Sequence, residues 1–139
     1  MIDREKTTTL EERQQVMKQA LTADYFLTSI NGITEEGELV NVDSVGNRVA
    51  AITYGSDKVL VFVSMNKMYG DLTTTLEIVR KNTAPLNAHR LGLKKTPCIQ
   101  KGICGDCLQM ECICNTIAIT RRSMMKDRIF IYLIIDDVG

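Results

Sequence analysis

The sequence predicts an α/β domain with a mainly parallel central sheet flanked by helices. Three observations lead there. Helical and strand patterns alternate along most of the chain. The run KVLVFVS at Lys58–Ser64 is apolar through its length, which suits a parallel strand covered on both faces. The chain has 139 residues, 45% of them apolar and 24% charged, an ordinary globular composition for one core. A single domain over residues 1–139 is therefore expected. Aromatics are only 5% and tryptophan is absent, so Leu, Ile, Val, Met and Ala must fill the interior.

The elements follow in order. Thr9 opens a Thr-x-x-Glu capping box ahead of a helix over about 10–23, with Leu10, Met17 and Leu21 on one face. Residues 25–30 form a short apolar strand. Asn31-Gly32 and Glu35-Glu36-Gly37 are turn signals, with a hairpin or two short strands at 32–34 and 39–42. A second helix spans Asn47–Tyr54 and closes at Gly55 as a C-terminal cap. After the strand Lys58–Ser64, a loop over 65–70 leads to Asp71, an N-cap for a helix through about Asn82. Pro85 begins another short helix that ends near Gly92. Residues 94–114 have no periodicity and read as an irregular cysteine-rich loop. Two strands, 115–122 and 128–136, complete the chain.

Charge and hydropathy exclude several classes. Lys+Arg and Asp+Glu are 17 each, so the net charge is zero, which argues against a general nucleic-acid binder. The N-terminal stretch MIDREKTTTLEERQQ is polar and no secretory apolar region follows. The longest apolar runs, 59–63 and 129–135, are too short to span a bilayer. The protein is expected to be soluble and cytoplasmic, without membrane attachment.

The five cysteines all fall within 98–114, spaced Cys98-x5-Cys104-x2-Cys107-x4-Cys112-x-Cys114. In a reducing compartment such a cluster binds metal or does redox chemistry more often than it forms structural disulfides. Two thiolates two residues apart can chelate one ion, and a flanking pair completes a tetrahedral set. Cys98, Cys104, Cys107 and Cys114 make one such set, and Cys112 can stand in for Cys114. Zinc and an iron–sulfur cluster both suit four thiolates, although the spacing is not the bacterial ferredoxin run. A redox pair at Cys104 and Cys107, or thiols that simply pack in an ordered loop, would give the same spacing.

Two further places can hold an anion. Asp43-Ser44-Val45-Gly46-Asn47-Arg48 lies between a strand and a helix start, where backbone N–H groups and an arginine attract a phosphate, a carboxylate or a coenzyme A pyrophosphate. It is neither a dinucleotide fingerprint nor a Walker loop, and a capped helix with a surface arginine reads the same way. Ser64-Met65-Asn66-Lys67 follows the apolar strand, at the strand end where open α/β sheets bind ligands, and a solvated polar loop is the plain alternative. His89, the only histidine, is best read as a surface residue. No Ser-His-Asp or two-His-carboxylate set is present, so no catalytic residue is assigned.

Taken together, ADYFLTSINGITEEGELVNVDSVGNRVAA, VLVFVSMNK, APLNAHRLGLKKTPC and the Cys-x2-Cys loop resemble the LUD domain family, the lactate-utilisation family that was formerly a domain of unknown function. The resemblance covers nearly the whole chain in order. It implies a fold similar to the sugar-isomerase and CoA-transferase-like superfamily. It also implies a role beside bacterial L-lactate oxidation, with partner subunits that carry iron–sulfur clusters. The family pattern falls on Asn31, Gly32, Thr34, Gly37, Asp43, Gly46, Asn47, Arg48, Asn66, Lys67, Pro85, Asn87, Arg90, Pro97, Cys98, Cys104, Cys107 and Cys114. Cys112 stands outside it, so the resemblance makes Cys112 the spare thiol. Relatives carry a further N-terminal βαβ-like region, so this chain is expected to be N-terminally short, to leave a sheet edge uncovered, and to cover it as a homodimer or higher oligomer.

Three functions follow from these readings. One is an accessory subunit of lactate oxidation, with or without a bound metal. Another is an enzyme of the CoA-transferase or isomerase type, holding an anionic or CoA substrate with Asn31, Asp43, Gly46, Asn47, Arg48, Asn66 and Lys67. The third is a small metal-stabilised interaction module. No glutamate nucleophile of the kind used in covalent CoA chemistry can be placed, which favours the first.

Overall fold

A computed structural model describes residues 1–101, 105–108 and 110–135. Cys104 and the predicted strand end at Asp136 lie outside the described residues.

The first helix, α1 (Leu10–Ala20), is capped by Thr9, whose hydroxyl accepts from the Glu12 N–H at 3.1 Å. The Glu12 carboxylate returns to the Thr8 N–H at 3.0 Å rather than to that of Thr9, and these bonds hold its carboxyl below the usual range. The helix ends three residues before the predicted boundary, where the Ser56 hydroxyl donates to the Ala20 carbonyl at 2.6 Å. Strand β1 (Tyr25–Thr28) and the short strands β2 (Gly32–Ile33) and β3 (Leu39–Asp43) follow. Helix α2 (Asn47–Tyr54) starts after Gly46, whose φ of 80° lies in the left-handed region that glycine enters without strain. Gly55 is not the left-handed cap the sequence suggested. Its φ is −118°, and glycine is needed because a Cβ there would stand 2.7 Å from Ala51 Cα.

Strand β4 is Lys58–Ser64, and a single 3-10 turn at Met65–Lys67 replaces the predicted open loop. Helix α3 (Leu72–Ile78) starts at its expected cap, with the Thr74 N–H bonded to the Asp71 carboxylate at 2.7 Å. It does not stop before Pro85. A wide π turn at Val79–Thr83, closed by the Ala84 N–H on the Val79 carbonyl, carries the chain into α4 (Ala84–Arg90). Such a turn accommodates a proline, which cannot donate back into the preceding turn. The cysteine segment is not wholly irregular, because Pro97–Lys101 forms a short helix, α5. Five residues are too few to register as a helical period. The last strands are β5 (Thr116–Thr120) and β6 (Ile129–Ile134).

Among the described residues the strands form two three-stranded sheets. The first is fully parallel in the order β1-β4-β6, with Phe26 against Val59 and Val59 against Ile129. The second is antiparallel in the order β2-β3-β5, so the predicted hairpin is present and β5 pairs with β3. The domain is thus α/β, with a parallel sheet flanked by helices and an antiparallel sheet beside it.

The core lies on one side of β4. Val59, Val61 and Val63 pack with Ile30, Ile33, Leu39 and Ile52, each contributing roughly 1.5–3 kcal/mol by burial. Contrary to expectation, the other face of β4 is not fully covered, and Phe62 is exposed there. Among the described residues no helix is long and apolar enough to cross a membrane.

Candidate functional site

Four residues singled out in the sequence meet at the carboxyl ends of β1 and β4. Arg48, in the first turn of α2, reaches back across the end of β3. Its Nε donates to Asp43 Oδ1 at 2.9 Å and its Nη2 to Asn31 Oδ1 at 2.7 Å. The same guanidinium bonds the carbonyls of Val42 at 3.0 Å and Ser29 at 3.3 Å. Asp43 spends its second oxygen on the Val49 N–H at 2.7 Å, capping α2 from within. Asn31 accepts from the Val42 N–H at 2.8 Å as well. The side chain of Asp43 is only 8% exposed and that of Arg48 21%, so this ion pair is screened from water far more than a surface pair.

This wiring decides what each residue can do. The N-terminus of α2 and the arginine, both predicted to attract an anion, already hold one in the Asp43 carboxylate. Arg48 is therefore a brace that ties β1, β3 and α2 together. Gly46 and Asn47 set the entry of the helix.

Lys67 differs. It follows β4 in the 3-10 turn, is half-buried, and donates from Nζ to the Ile30 carbonyl at 3.0 Å. An ammonium has three donors, so donors remain to be filled. Among the described residues no carboxylate pairs with it. Burial first, and the neighbouring Arg48 charge second, pull its pKa below the usual 10.5. Asp43 offsets Arg48, which leaves the Lys67 charge uncompensated at the end of the parallel sheet. Asn66 is brought to the same turn, where its N–H bonds the Ser64 hydroxyl at 3.2 Å, but its side chain is exposed.

The cysteines gather elsewhere, beside α4 and α5. Cys98, Cys107, Cys112 and Cys114 all line one cavity of about 180 Å³, together with Arg80 and Ile117. Thr96 Oγ1 lies 3.1 Å from Cys98 Sγ, and the Cys114 N–H donates to Cys112 Sγ at 3.4 Å. Cys112, the spare thiol of the sequence reading, is the buried one, and burial pushes its thiol pKa up. Among the described residues no three of His, Cys, Asp or Glu converge as a metal-binding group. Cys104 lies outside those residues, so the predicted set Cys98, Cys104, Cys107 and Cys114 is seen only in three of its members. His89 is exposed.

Sequence reasoning missed two structural anchors. Arg128 is buried and donates to the carbonyls of Ala51 at 2.9 Å, Ile52 at 2.5 Å and Ser56 at 3.0 Å. It thereby caps the C-terminal end of α2, where the helix dipole favours a cation. Glu111 accepts the N–H groups of Lys94 and Lys95 at 3.2 and 2.9 Å, closing the cysteine segment on itself. An arginine just before a long apolar strand was a visible signal for the first. Nothing local marked the second.

The chain belongs to the LUD domain family, whose sequence model matches residues 2–135. That match spans both clusters and the six strands of the described residues. No curated protein and no solved structure matches the chain.

Proposed function

We propose that this LUD-domain protein serves lactate utilisation as a subunit that holds a small carboxylate at Lys67. The observation that carries the reading is the uncompensated, half-buried ammonium at the carboxyl ends of β1 and β4. Asn31, Asp43 and Arg48 form the bonded network beside it, Gly46 and Asn47 set the entry of the helix that carries Arg48, and Asn66 lies in the same turn as Lys67. A 2-hydroxy or 2-oxo acid of three carbons fits the donors that Lys67 keeps free. Partner subunits with iron–sulfur clusters supply electron transfer in this reading. A CoA-transferase or isomerase activity has less support, because the Arg48 charge is already paired with Asp43 and, among the described residues, no carboxylate pairs with Lys67.

Calorimetry with lactate, pyruvate and coenzyme A tests the reading. Binding of lactate or pyruvate that Lys67→Met abolishes supports it. Tight coenzyme A binding would move the assignment to the transferase class, and no binding of any of the three would remove the site.

Zinc or an iron–sulfur cluster on Cys98, Cys104, Cys107 and Cys114 remains a separate proposal. Its support is that three of those thiols share one cavity. Elemental analysis of anaerobically purified protein distinguishes about one zinc per chain, several irons, or neither.

A further inference from the structure

Cys112 stands outside the family pattern, yet the structure builds it into the thiol-lined cavity. It is 7% exposed, and its thiol is in hydrogen-bond contact with those of Cys107 and Cys114. The Cys114 N–H also donates to Cys112 Sγ at 3.4 Å. The backbone at this point is fixed independently of the sulfurs. Asn115 Nδ2 donates to the Cys112 carbonyl at 2.9 Å and to the Ser44 carbonyl at 3.0 Å, which ties Cys112 to the residue that follows β3.

Cys107 comes to the same cavity from the other side of the loop, and it is only half-buried. The residue before it, Asp106, has a φ of 52°, a left-handed conformation that costs a non-glycine residue energy. The Arg80–Asp106 ion pair holds it there. Gly105 rests against α5, where a Cβ would stand 2.9 Å from Pro97 Cβ. These contacts deliver the Cys107 thiol to that of Cys112 while leaving part of Cys107 in solvent. Two sulfurs in hydrogen-bond contact need only a small approach to reach the roughly 2 Å of a disulfide. Cys114 is a poorer partner for Cys112, because a bond across one intervening residue closes a strained ring. The Cys98 thiol is engaged elsewhere, 3.1 Å from Thr96 Oγ1.

We propose that Cys107 and Cys112 are a reversible dithiol–disulfide pair, oxidised by exchange with a small-molecule disulfide. The half-exposed Cys107 sulfur attacks one sulfur of the small disulfide. Its S–S bond breaks, and one small thiol leaves with the Cys107 proton. The buried Cys112 sulfur then attacks the Cys107 sulfur of the mixed disulfide. The Cys107–Cys112 bond forms, and the second small thiol leaves with the Cys112 proton. Two electrons pass from the protein pair to the small disulfide, and excess small thiol runs the exchange backwards. The pair draws on neither Lys67 nor a carboxylate ligand. A metal held by Cys107 would exclude it, so the two uses of that thiol are alternatives.

The test takes the full chain, purified anaerobically, through glutathione buffers of graded reduced-to-oxidised ratio. Free thiols are then alkylated and the protein is mapped by mass spectrometry. The expected result is a loss of about 2 Da per chain before alkylation, a Cys107–Cys112 peptide link, and full reversal by dithiothreitol. Cys112→Ser leaves the glutathione adduct on Cys107 in place of the internal bond. Cys107→Ser slows reaction at Cys112 about tenfold or more, because the remaining thiol is buried. Circular dichroism reports the fold of both variants, and the wild-type map decides the matter if either folds poorly. A chain that forms no internal bond across the series overturns the proposal. So does Cys107 bonded to Cys98, Cys104 or Cys114, a glutathione adduct that persists on the wild-type chain, or an unchanged rate in Cys107→Ser. Metal-bound wild-type protein in which Cys107 stays unreactive throughout overturns it as well.

Discussion

The two clusters singled out by the sequence are built in opposite ways. The Asp43–Arg48 cluster joins segments up to 19 residues apart through side chains that are each bonded several times. The thiols of the cysteine cluster all come from one segment, which Glu111 closes on the Lys94 and Lys95 amides and the Arg80–Asp106 ion pair ties to the Val79–Thr83 turn. A buried ion pair with filled hydrogen bonds resists change, because removing one partner strands the other's charge. A thiol-lined cavity carries no such penalty unless a metal fills it.

The largest expected effect tests the first half of that contrast. Asp43→Ala leaves Arg48 without its counter-charge and α2 without its cap, and should cost about 3 kcal/mol of stability in urea unfolding. A loss below about 1 kcal/mol would mean that the cluster is not a brace.

Lys67→Met comes next. It should weaken carboxylate binding at least about tenfold while leaving stability unchanged or slightly higher, since the half-buried charge is itself unfavourable. The pH dependence follows in sign. A lysine whose folded pKa is depressed binds fewer protons folded than unfolded between the lowered value and 10.5, so stability rises with pH in that window. Carboxylate affinity runs the other way and falls as pH climbs through the lowered pKa. Calorimetry across the alkaline range checks it, and a flat affinity up to pH 10 would exclude Lys67 as the charge that binds.

The cysteine side yields smaller numbers. Cys112→Ala should cost about 1 kcal/mol, the price of a small buried cavity. A loss several times larger, together with bound metal, would reverse the contrast and make the cysteine segment the more rigid of the two. Glu111→Gln should do least. It should speed hydrogen exchange at Lys94 and Lys95 without moving the global unfolding midpoint.

Much of the fold was legible because caps and apolar runs are local. Thr9, Asp71 and the KVLVFVS strand announce themselves within a few residues. Strand partners were not legible. TIAIT at Thr116–Thr120 alternates like many strands, and nothing local says that it pairs with β3 rather than joining the parallel sheet. The continuous apolar run of β4 promised cover on both faces, but composition cannot tell a face covered within the chain from one left exposed. In the site, the Asp43–Arg48 spacing was visible, while the internal neutralisation of that pair required coordinates. The bond from Lys67 to the Ile30 carbonyl spans 37 positions, beyond any pattern in the sequence.

The central place of β4 also sets the pace of folding. Its parallel neighbours are β1, about thirty residues earlier, and β6, about seventy residues later. Loop closure must be met before either pairing is rewarded, so the sheet belongs among slow, high-contact-order topologies of milliseconds to seconds. During synthesis β4 waits, half-paired with β1, until β6 leaves the ribosome, and the carboxyl end that carries Lys67 takes shape only then.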